Sequence, residues 1–183
     1  MRKNAEKLVA EKVDRGVDAM LDAFEDHPVT KEIDAGEYAD NSSGTLDGYG
    51  NLFTFIGFYL QDENPVYIAR ELLKDVKYAI FSERKQKEGV RYSFRVRLVN
   101  EKTIKDLSPL PWEPGLSWIQ GIEKGISGFG FYMYKRFPEG RSTEGLQAKS
   151  PSGQLRRIRG GNFKPMPYFS EFYKEFEKEF NKK

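Results

Sequence analysis

Apolar residues at the two ends of the chain recur at the spacing of one helical face, and no other feature constrains the fold as strongly. The two segments cover residues 5–25 and 167–180, and charged residues occupy the opposite side of each. Amphipathic helices need apolar surface to pack on, so we predict two helices that flank one core. Their apolar positions are Val9, Val13, Val17, Met20, Leu21 and Phe24 in the first segment and Phe169, Phe172, Tyr173, Phe176 and Phe180 in the second.

Between these helices the pattern changes to that of shorter elements. Residues 76–81 and 90–99 bracket a polar turn at Gly89, and apolar residues in the second segment alternate with arginines, which predicts a hairpin. The other predicted elements are strands at 52–59 and 129–134 and short helices at 66–73 and 116–124. The fold class is therefore α+β: an antiparallel or mixed sheet of about four to five strands, flanked by the N-terminal and C-terminal amphipathic helices.

Two polar stretches that contain glycine, 36–50 and 137–153, are predicted to be extended loops. They hold few apolar residues, so we expect the first to be mobile or to be ordered by a partner. No repeat and no linker-like stretch divides the chain, and residues 1–183 are expected to form a single domain.

Residues on which common enzyme chemistries depend are scarce. The chain has no cysteine, and His27 is its only histidine, which excludes thiolate metal sites, cysteine nucleophiles and two-histidine metal schemes within one chain. His27 precedes Pro28 and is expected at a helix end beside terminal carbonyls, while Glu32 and Asp34 are expected on the solvated surface. We predict that the chain is not an enzyme and holds no catalytic residue, metal or cofactor.

Hydropathy gives no indication of a membrane partner. No run of about 18 apolar residues is present, and the N-terminal residues lead into an amphipathic pattern instead of a signal-peptide core. We expect a soluble protein without a secretory leader.

The formal net charge of +2 conceals two parts of opposite sign. Residues 1–50 hold six Lys or Arg and twelve Asp or Glu, a net charge of −6, so the remainder carries +8. The strongest basic stretch, 141–165, has six basic side chains and one acid, Glu144. Complementary flanks can pair in a head-to-tail ring. The alternative is a monomer with a Phe-rich core and an uneven surface charge.

Eight residues are candidates for contact with a partner. Four come from 52–59, where both sides of the predicted strand are apolar and one side is free for another subunit. The other four are arginines of the basic stretch, which suit an acidic protein surface or phosphates. The candidates are Leu52, Phe53, Phe55, Phe58, Arg141, Arg156, Arg157 and Arg159.

Several short motifs follow one another in a recognisable order. After the first helix come His27-Pro28-Val29, the turn Ser43-Gly44-x-Leu46 and the segment Gly50-Asn51-Leu52-Phe53-Thr54-Phe55-Ile56-Gly57-Phe58, and then Gly140-Arg141-Ser142 and Gly145-Leu146-Gln147 precede the last helix. In this order the chain resembles the tail-completion and neck proteins of tailed bacteriophages, although its Pro-Val step lies further from the turn and Ser43 replaces a threonine. The resemblance implies a helix-flanked antiparallel sheet, ring assembly between capsid portal and tail, loops that reach neighbouring subunits, and no catalysis.

The main hypothesis is thus a virion structural protein of a tailed bacteriophage, a neck or tail-completion ring subunit that acts as tail terminator or head–tail connector. It is expected to assemble in the host cytoplasm and to contact copies of itself, other neck, portal or tail proteins, and DNA in the channel without sequence specificity. The alternative is a small nucleic-acid-binding module that uses the 141–165 segment together with Arg95 and Arg97. A small hydrolase is a third hypothesis, supported only by unplaced carboxylates and tyrosines.

Overall fold

A computed structural model describes residues 1–46, 50–59, 64–87, 89–111, 113–125 and 163–182. These residues form seven α-helices, a 3-10 turn at Gly36–Tyr38 and four β-strands. The helices are α1 (Arg2–Asp26), α2 (Pro28–Asp34), α3 (Leu52–Ile56), α4 (Pro65–Lys74), α5 (Glu101–Leu107), α6 (Trp118–Lys124) and α7 (Phe169–Phe180). The strands are β1 (Lys77–Gln86), β2 (Gly89–Arg97), β3 (Pro109–Leu110) and β4 (Glu113–Ser117).

The two terminal helices pack against each other along an aromatic seam. Gly16 of α1 lies so close to Phe176 of α7 that a Cβ atom at position 16 would stand 2.8 Å from the ring. Phe24 and Phe172 meet edge to face with ring centroids 5.6 Å apart. Both predicted amphipathic helices are confirmed, and each buries apolar residues of its periodic face in the core.

One hydrophobic core joins the terminal helices to the shorter ones. Trp118, the first residue of α6, packs on Tyr168 with ring centroids 6.1 Å apart and meets the edge of Phe58 at 5.6 Å. Tyr168 in turn contacts Phe24 and Phe172. Residues distant in sequence are therefore held together by a continuous group of aromatic rings at the centre of the helical part.

The shorter helices begin where a side-chain oxygen can accept a backbone N–H. Such helices are marginal by themselves, so capping and burial of one face together fix where they form. The predicted helix at 66–73 is confirmed as α4, whereas the one predicted at 116–124 is preceded by β4 and begins at Trp118. The capping bonds run from Thr54 N to Asn51 (3.0 Å), Val66 N to Asn64 (2.9 Å), Thr103 N to Asn100 (2.9 Å) and Gln120 N to Ser117 (3.2 Å).

The described strands form two separate antiparallel pairs, β1 with β2 and β3 with β4. The α+β class and the hairpin are confirmed, and the hairpin extends further than predicted at its turn end. The predicted single sheet of four to five strands is not found among the described residues, because neither pair continues into a third strand there. The strand predicted at 129–134 lies outside the described residues, as does the loop predicted at 137–153.

The strand predicted at 52–59 is wrong, because residues 52–56 form α3. Asn51 caps its start, and Gly57 ends it in the left-handed region with a φ of 87°. Leu52, Phe53 and Ile56 are all buried. A short helix enclosed on most sides is apolar at nearly every position, and periodicity alone does not distinguish such a run from a buried strand.

Candidate functional site

The hairpin of β1 and β2, which we call the β-ribbon, has no buried residue in either strand. Nine antiparallel residue pairs hold it together, from Lys77 opposite Arg97 to Gln86 opposite Gly89. Phe81 has no opposite residue and forms a β-bulge. Residues 77–97 contain seven Lys or Arg and two Glu, a net charge of +5, so the β-ribbon is strongly basic.

One face of the β-ribbon carries Lys77, Arg84, Arg91, Arg95 and Arg97, and we call it the cationic face. Strand alternation and register place Lys77 directly opposite Arg97, and Arg84 directly opposite Arg91. All five side chains are exposed. Among the described residues only Lys77 has a carboxylate within reach, Asp75 Oδ1 at 3.1 Å. Like charges directly opposite each other destabilise a strand pair, so the cationic face carries an electrostatic cost that the described chain does not offset.

Phe81 adds an aromatic ring to the cationic face. Its side chain is 62% exposed, and the guanidinium carbon of Arg95 lies 4.2 Å from the ring centroid. A planar guanidinium stacks well on an aromatic ring, so this contact restricts the position of the Arg95 charge. A shallow depression of about 240 Å³ adjoins the pair, lined by Lys77, Tyr78, Ala79, Ile80, Phe81, Arg95 and Arg97.

The opposite side of the β-ribbon, the apolar face, carries Tyr78, Ile80, Tyr92, Phe94 and Val96, with Glu83 and Lys85 on the same side towards the turn. Val96 packs against the hydrophobic core, but the other four have no place in the core formed by the described residues. Tyr78 is 41% exposed. Ile80, Tyr92 and Phe94 are half-buried. A two-stranded ribbon is at best marginally stable without packing on a face, so further burial of the apolar face would stabilise it.

Glu32 shows the opposite situation in the helical part. It is 1% exposed, and its Oε2 and Oε1 accept the backbone N–H groups of Ser43 and Leu52, each at 2.8 Å. The carboxylate therefore ties α2 to the 36–50 stretch and to the start of α3. The prediction that Glu32 lies on the solvated surface is wrong, because its partners are backbone groups that sequence patterns do not reveal; Asp34 is exposed as predicted.

Part of the 36–50 stretch is ordered by contacts within the chain, including the bond from Ser43 N–H to Glu32. Ser43, Thr45 and Leu46 are buried against the chain itself, and Ser43 Oγ lies 2.9 Å from Thr45 Oγ1. Asn51 Nδ2 also donates to the Glu37 and Ala39 carbonyls at 2.7 and 3.1 Å. This part of the predicted loop is thus ordered by intramolecular hydrogen bonds and burial, without the need for a partner.

His27 occupies the junction of α1 and α2. Its Nδ1 accepts the backbone N–H of Val29 at 3.2 Å, so the ring caps the start of α2 instead of binding the last carbonyls of α1 as predicted. Burial lowers the pKa of His27 from its usual 6.5, while the Glu171 carboxylate and the Pro167 carbonyl act in the raising direction. Nearby, Thr30 Oγ1 and the buried Tyr168 hydroxyl are hydrogen-bonded at 2.9 Å. These hydrogen bonds join α2 to its preceding residue and to the start of α7.

The predicted partner residues divide into two groups. Leu52, Phe53 and Phe58 are at most 6% exposed and belong to the core of the chain itself, because 52–56 folds as a buried helix. Phe55 is half-buried and stacks on Phe163 with ring centroids 6.1 Å apart. The four arginines, Arg141, Arg156, Arg157 and Arg159, lie outside the described residues. The structure therefore removes three apolar candidates from the free surface.

The residues that sequence reasoning missed are Lys77, Phe81, Arg84 and Arg91. The alternation of arginines in β2 was visible, and it had already drawn attention to Arg95 and Arg97. The contribution of β1 was not visible, because its pairing and its bulge decide which of its residues share a face with those arginines.

Two further properties of the described residues bear on the kind of site. They contain no group of three or more histidine, aspartate or glutamate side chains arranged to hold a metal ion. Nor does any helix within these ranges combine the length and apolarity that crossing a membrane requires. Comparisons with protein-family models, curated proteins and solved structures give no match for the chain.

Proposed function

We propose that the chain is a structural subunit of a tailed-bacteriophage virion, a neck or tail-completion ring protein that joins capsid portal to tail. The order of its motifs supports this assignment: Pro28-Val29 after the first helix, the Ser43-Gly44 turn, the segment from Gly50 to Phe58, and a closing amphipathic helix. Such a protein acts by geometry, as a wall between neighbours, and needs no catalytic group.

The observation that carries the proposal is the apolar face of the β-ribbon, on which Tyr78 is exposed and Ile80, Tyr92 and Phe94 are only half-buried. Ile80 and Phe94 lie directly opposite each other, and Tyr78 and Tyr92 extend the same surface on either side. Apolar surface that stays partly exposed in this way marks a contact between proteins. A subunit that buries this face against its neighbour gains stability for the ribbon and for the assembly together.

We assign the neighbour as a second copy of the chain. The exposed side of α1 carries Asp14, Asp18 and Asp22, none of which has a basic partner among the described residues, and residues 1–50 carry −6 against +8 in the remainder of the chain. Surfaces of opposite charge at different places on one chain favour a heterologous contact, in which one surface of a subunit meets another surface of the next. Contacts of that kind close into rings when the rotation between subunits allows it.

Native mass spectrometry of the purified chain, together with electron microscopy of virions, tests the proposal. We expect a closed homo-oligomer and density for the chain at the neck. The variant Ile80→Thr with Phe94→Thr keeps β-propensity but removes apolar area, and we expect it to be a folded monomer. The matched control, Tyr67→Gln on α4, changes an aromatic side chain that is 49% exposed and is expected to assemble normally.

A persistent monomer of the unmodified chain that is absent from virions would reject the assignment. If the ribbon variant assembles at the same concentration as the unmodified chain, the ring proposal stands, but the apolar face is not the interface of the ring.

A further inference from the structure

The cationic face of the β-ribbon is the strongest charged feature that the ring proposal leaves unused. It lies on the side opposite to the apolar face, so a neighbour that covers the apolar residues leaves the five cations open. We propose that the cationic face binds double-stranded DNA through the phosphate backbone, without sequence specificity. The inference does not depend on ring formation, because it concerns a surface that one chain carries complete.

The arrangement of charge is the first argument. Four arginines and one lysine are gathered on one face with no acid of that face among the described residues, and two pairs of like charges stand directly opposite each other. Such pairing lowers the stability of the isolated ribbon. When a dense polyanion binds, these cations stabilise the complex, because each one contacts a phosphate and releases counterions that were condensed on the nucleic acid.

The shape of the ribbon is the second argument. A ten-residue strand such as β1 extends about 33 Å. One turn of duplex DNA rises about 34 Å, and its major groove, about 12 Å wide, admits a two-stranded β-ribbon. The Lys77–Arg97 and Arg84–Arg91 pairs stand towards opposite ends of the β-ribbon, where they can reach the phosphates that border the groove.

Arg95 supplies the third argument. The Phe81 ring beneath its guanidinium limits the orientations of a charge that stands between the two pairs. A guanidinium held in this way loses less conformational entropy when it binds a phosphate, and its planar donors suit phosphate oxygens.

Duplex DNA fits this face better than an acidic protein does. Protein surfaces interleave charges of both signs, whereas DNA presents one negative charge for about every 1.7 Å of helix axis. A face with five cations and no acid matches that uniform polyanion. The deep and narrow major groove of RNA duplexes does not admit the ribbon, so RNA duplexes should bind more weakly.

Fluorescence anisotropy with a random-sequence DNA duplex of about 24 base pairs, roughly two helical turns, tests the inference on the full chain. If all five cations contact phosphates, the slope of log K against log salt approaches about −4.5 per chain. Replacing Arg91 and Arg97 together by Gln should reduce the magnitude of that slope by about 1.8 and weaken binding at least about tenfold at 100 mM salt. A duplex of different sequence should bind equally well.

The matched control replaces Lys102 and Lys105 by Gln. These residues are exposed on α5, so the control removes the same number of charges from outside the β-ribbon. We expect it to bind DNA within about twofold of the unmodified chain. An equal loss in the control, or no duplex binding at 50 mM salt, would overturn the inference.

Two competitors complete the test. Poly-glutamate that displaces the duplex as effectively as unlabelled DNA at equal charge would show a docking surface for acidic protein and overturn the inference. RNA duplex that binds as tightly as DNA would overturn the groove geometry on which the inference rests. If the unmodified chain forms rings but does not bind DNA, this inference alone is rejected, so the two proposals fail separately.

Discussion

The helical part of the molecule and the β-ribbon differ in whether their polar and charged side chains have partners within the chain. In the helical part, both oxygens of the buried Glu32 carboxylate are hydrogen-bonded, and the buried Tyr168 hydroxyl has Thr30 as its partner. Asn41 Nδ2 is the one buried side-chain polar atom without a partner in the described ranges. On the β-ribbon, four exposed arginines lack a carboxylate partner among the described residues, and the apolar face is only partly buried.

This difference indicates that the two regions have different roles. In the helical part, every buried side-chain polar atom of the described residues except Asn41 Nδ2 has a hydrogen-bond partner. The β-ribbon has one face that needs apolar cover and another that needs negative charge. In our account, neighbouring subunits supply the first and DNA supplies the second, so the ribbon is the part through which the chain meets other molecules.

The largest expected effect tests whether the helical part depends on its internal bonds. Glu32→Gln keeps the shape of the side chain but turns an amide N–H₂ towards one backbone N–H, which leaves a buried donor unsatisfied. We expect the free energy of unfolding to fall by about 3 kcal/mol, measured by urea denaturation. Asp34→Asn on the same helix is the exposed control and should change it by less than about 0.5 kcal/mol. Equal effects of the two substitutions would contradict the structural role of Glu32.

The next prediction concerns the seam between α1 and α7. Gly16→Ala places a Cβ atom against the Phe176 ring, and the steric cost should exceed the gain in helix propensity, giving a net loss of about 1–2 kcal/mol. The same substitution in a Phe176→Leu background should cost less, because the smaller side chain yields space. Additive losses in a double-mutant cycle would show that the two residues do not interact.

A smaller effect is expected from pH. The pKa of His27 is lower in the folded chain than in the unfolded one, so the unfolded chain binds the proton first as pH falls below 6.5. The His27 contribution to stability is therefore complete above pH 6.5 and is lost as pH falls from there towards the folded pKa, by at most about 1.4 kcal/mol per pH unit for one proton. His27→Asn keeps a capping oxygen for Val29 but does not titrate. Its unfolding free energy should change less between pH 7.5 and 5.5; identical pH profiles would show that His27 does not titrate in this way.

The smallest effect tests the charge on the ribbon. Arg97→Gln removes the like charge opposite Lys77, and we expect stability to rise by a few tenths of a kcal/mol at low salt. The gain should disappear near 1 M salt, where the charges are screened. A clear loss of stability at low salt would mean that Arg97 has an attractive partner within the chain.

How much of this could be foreseen differs between the two regions. The terminal helices and the hairpin could be predicted because a 3.6-residue or a two-residue period extends over many residues. The helix at 52–56 could not, because Asn51 and Gly57 bound a run too short for a period to appear. Only the β2 part of the cationic face could be predicted, because its arginines alternate with apolar residues. The β1 residues share that face only because of a register that the bulge at Phe81 sets. Glu32 was misjudged because its partners are backbone amides from distant positions.

Hydrogen–deuterium exchange, compared between the dilute monomer and the chain assembled in the virion neck, tests the different roles of the two regions most directly. We expect amides of residues 77–97 to exchange much faster than those of α1 and α7 in the monomer, and to become strongly protected on assembly while the two helices change little. A β-ribbon that is already protected in the monomer as well as the helices are, and that gains nothing on assembly, would contradict the account.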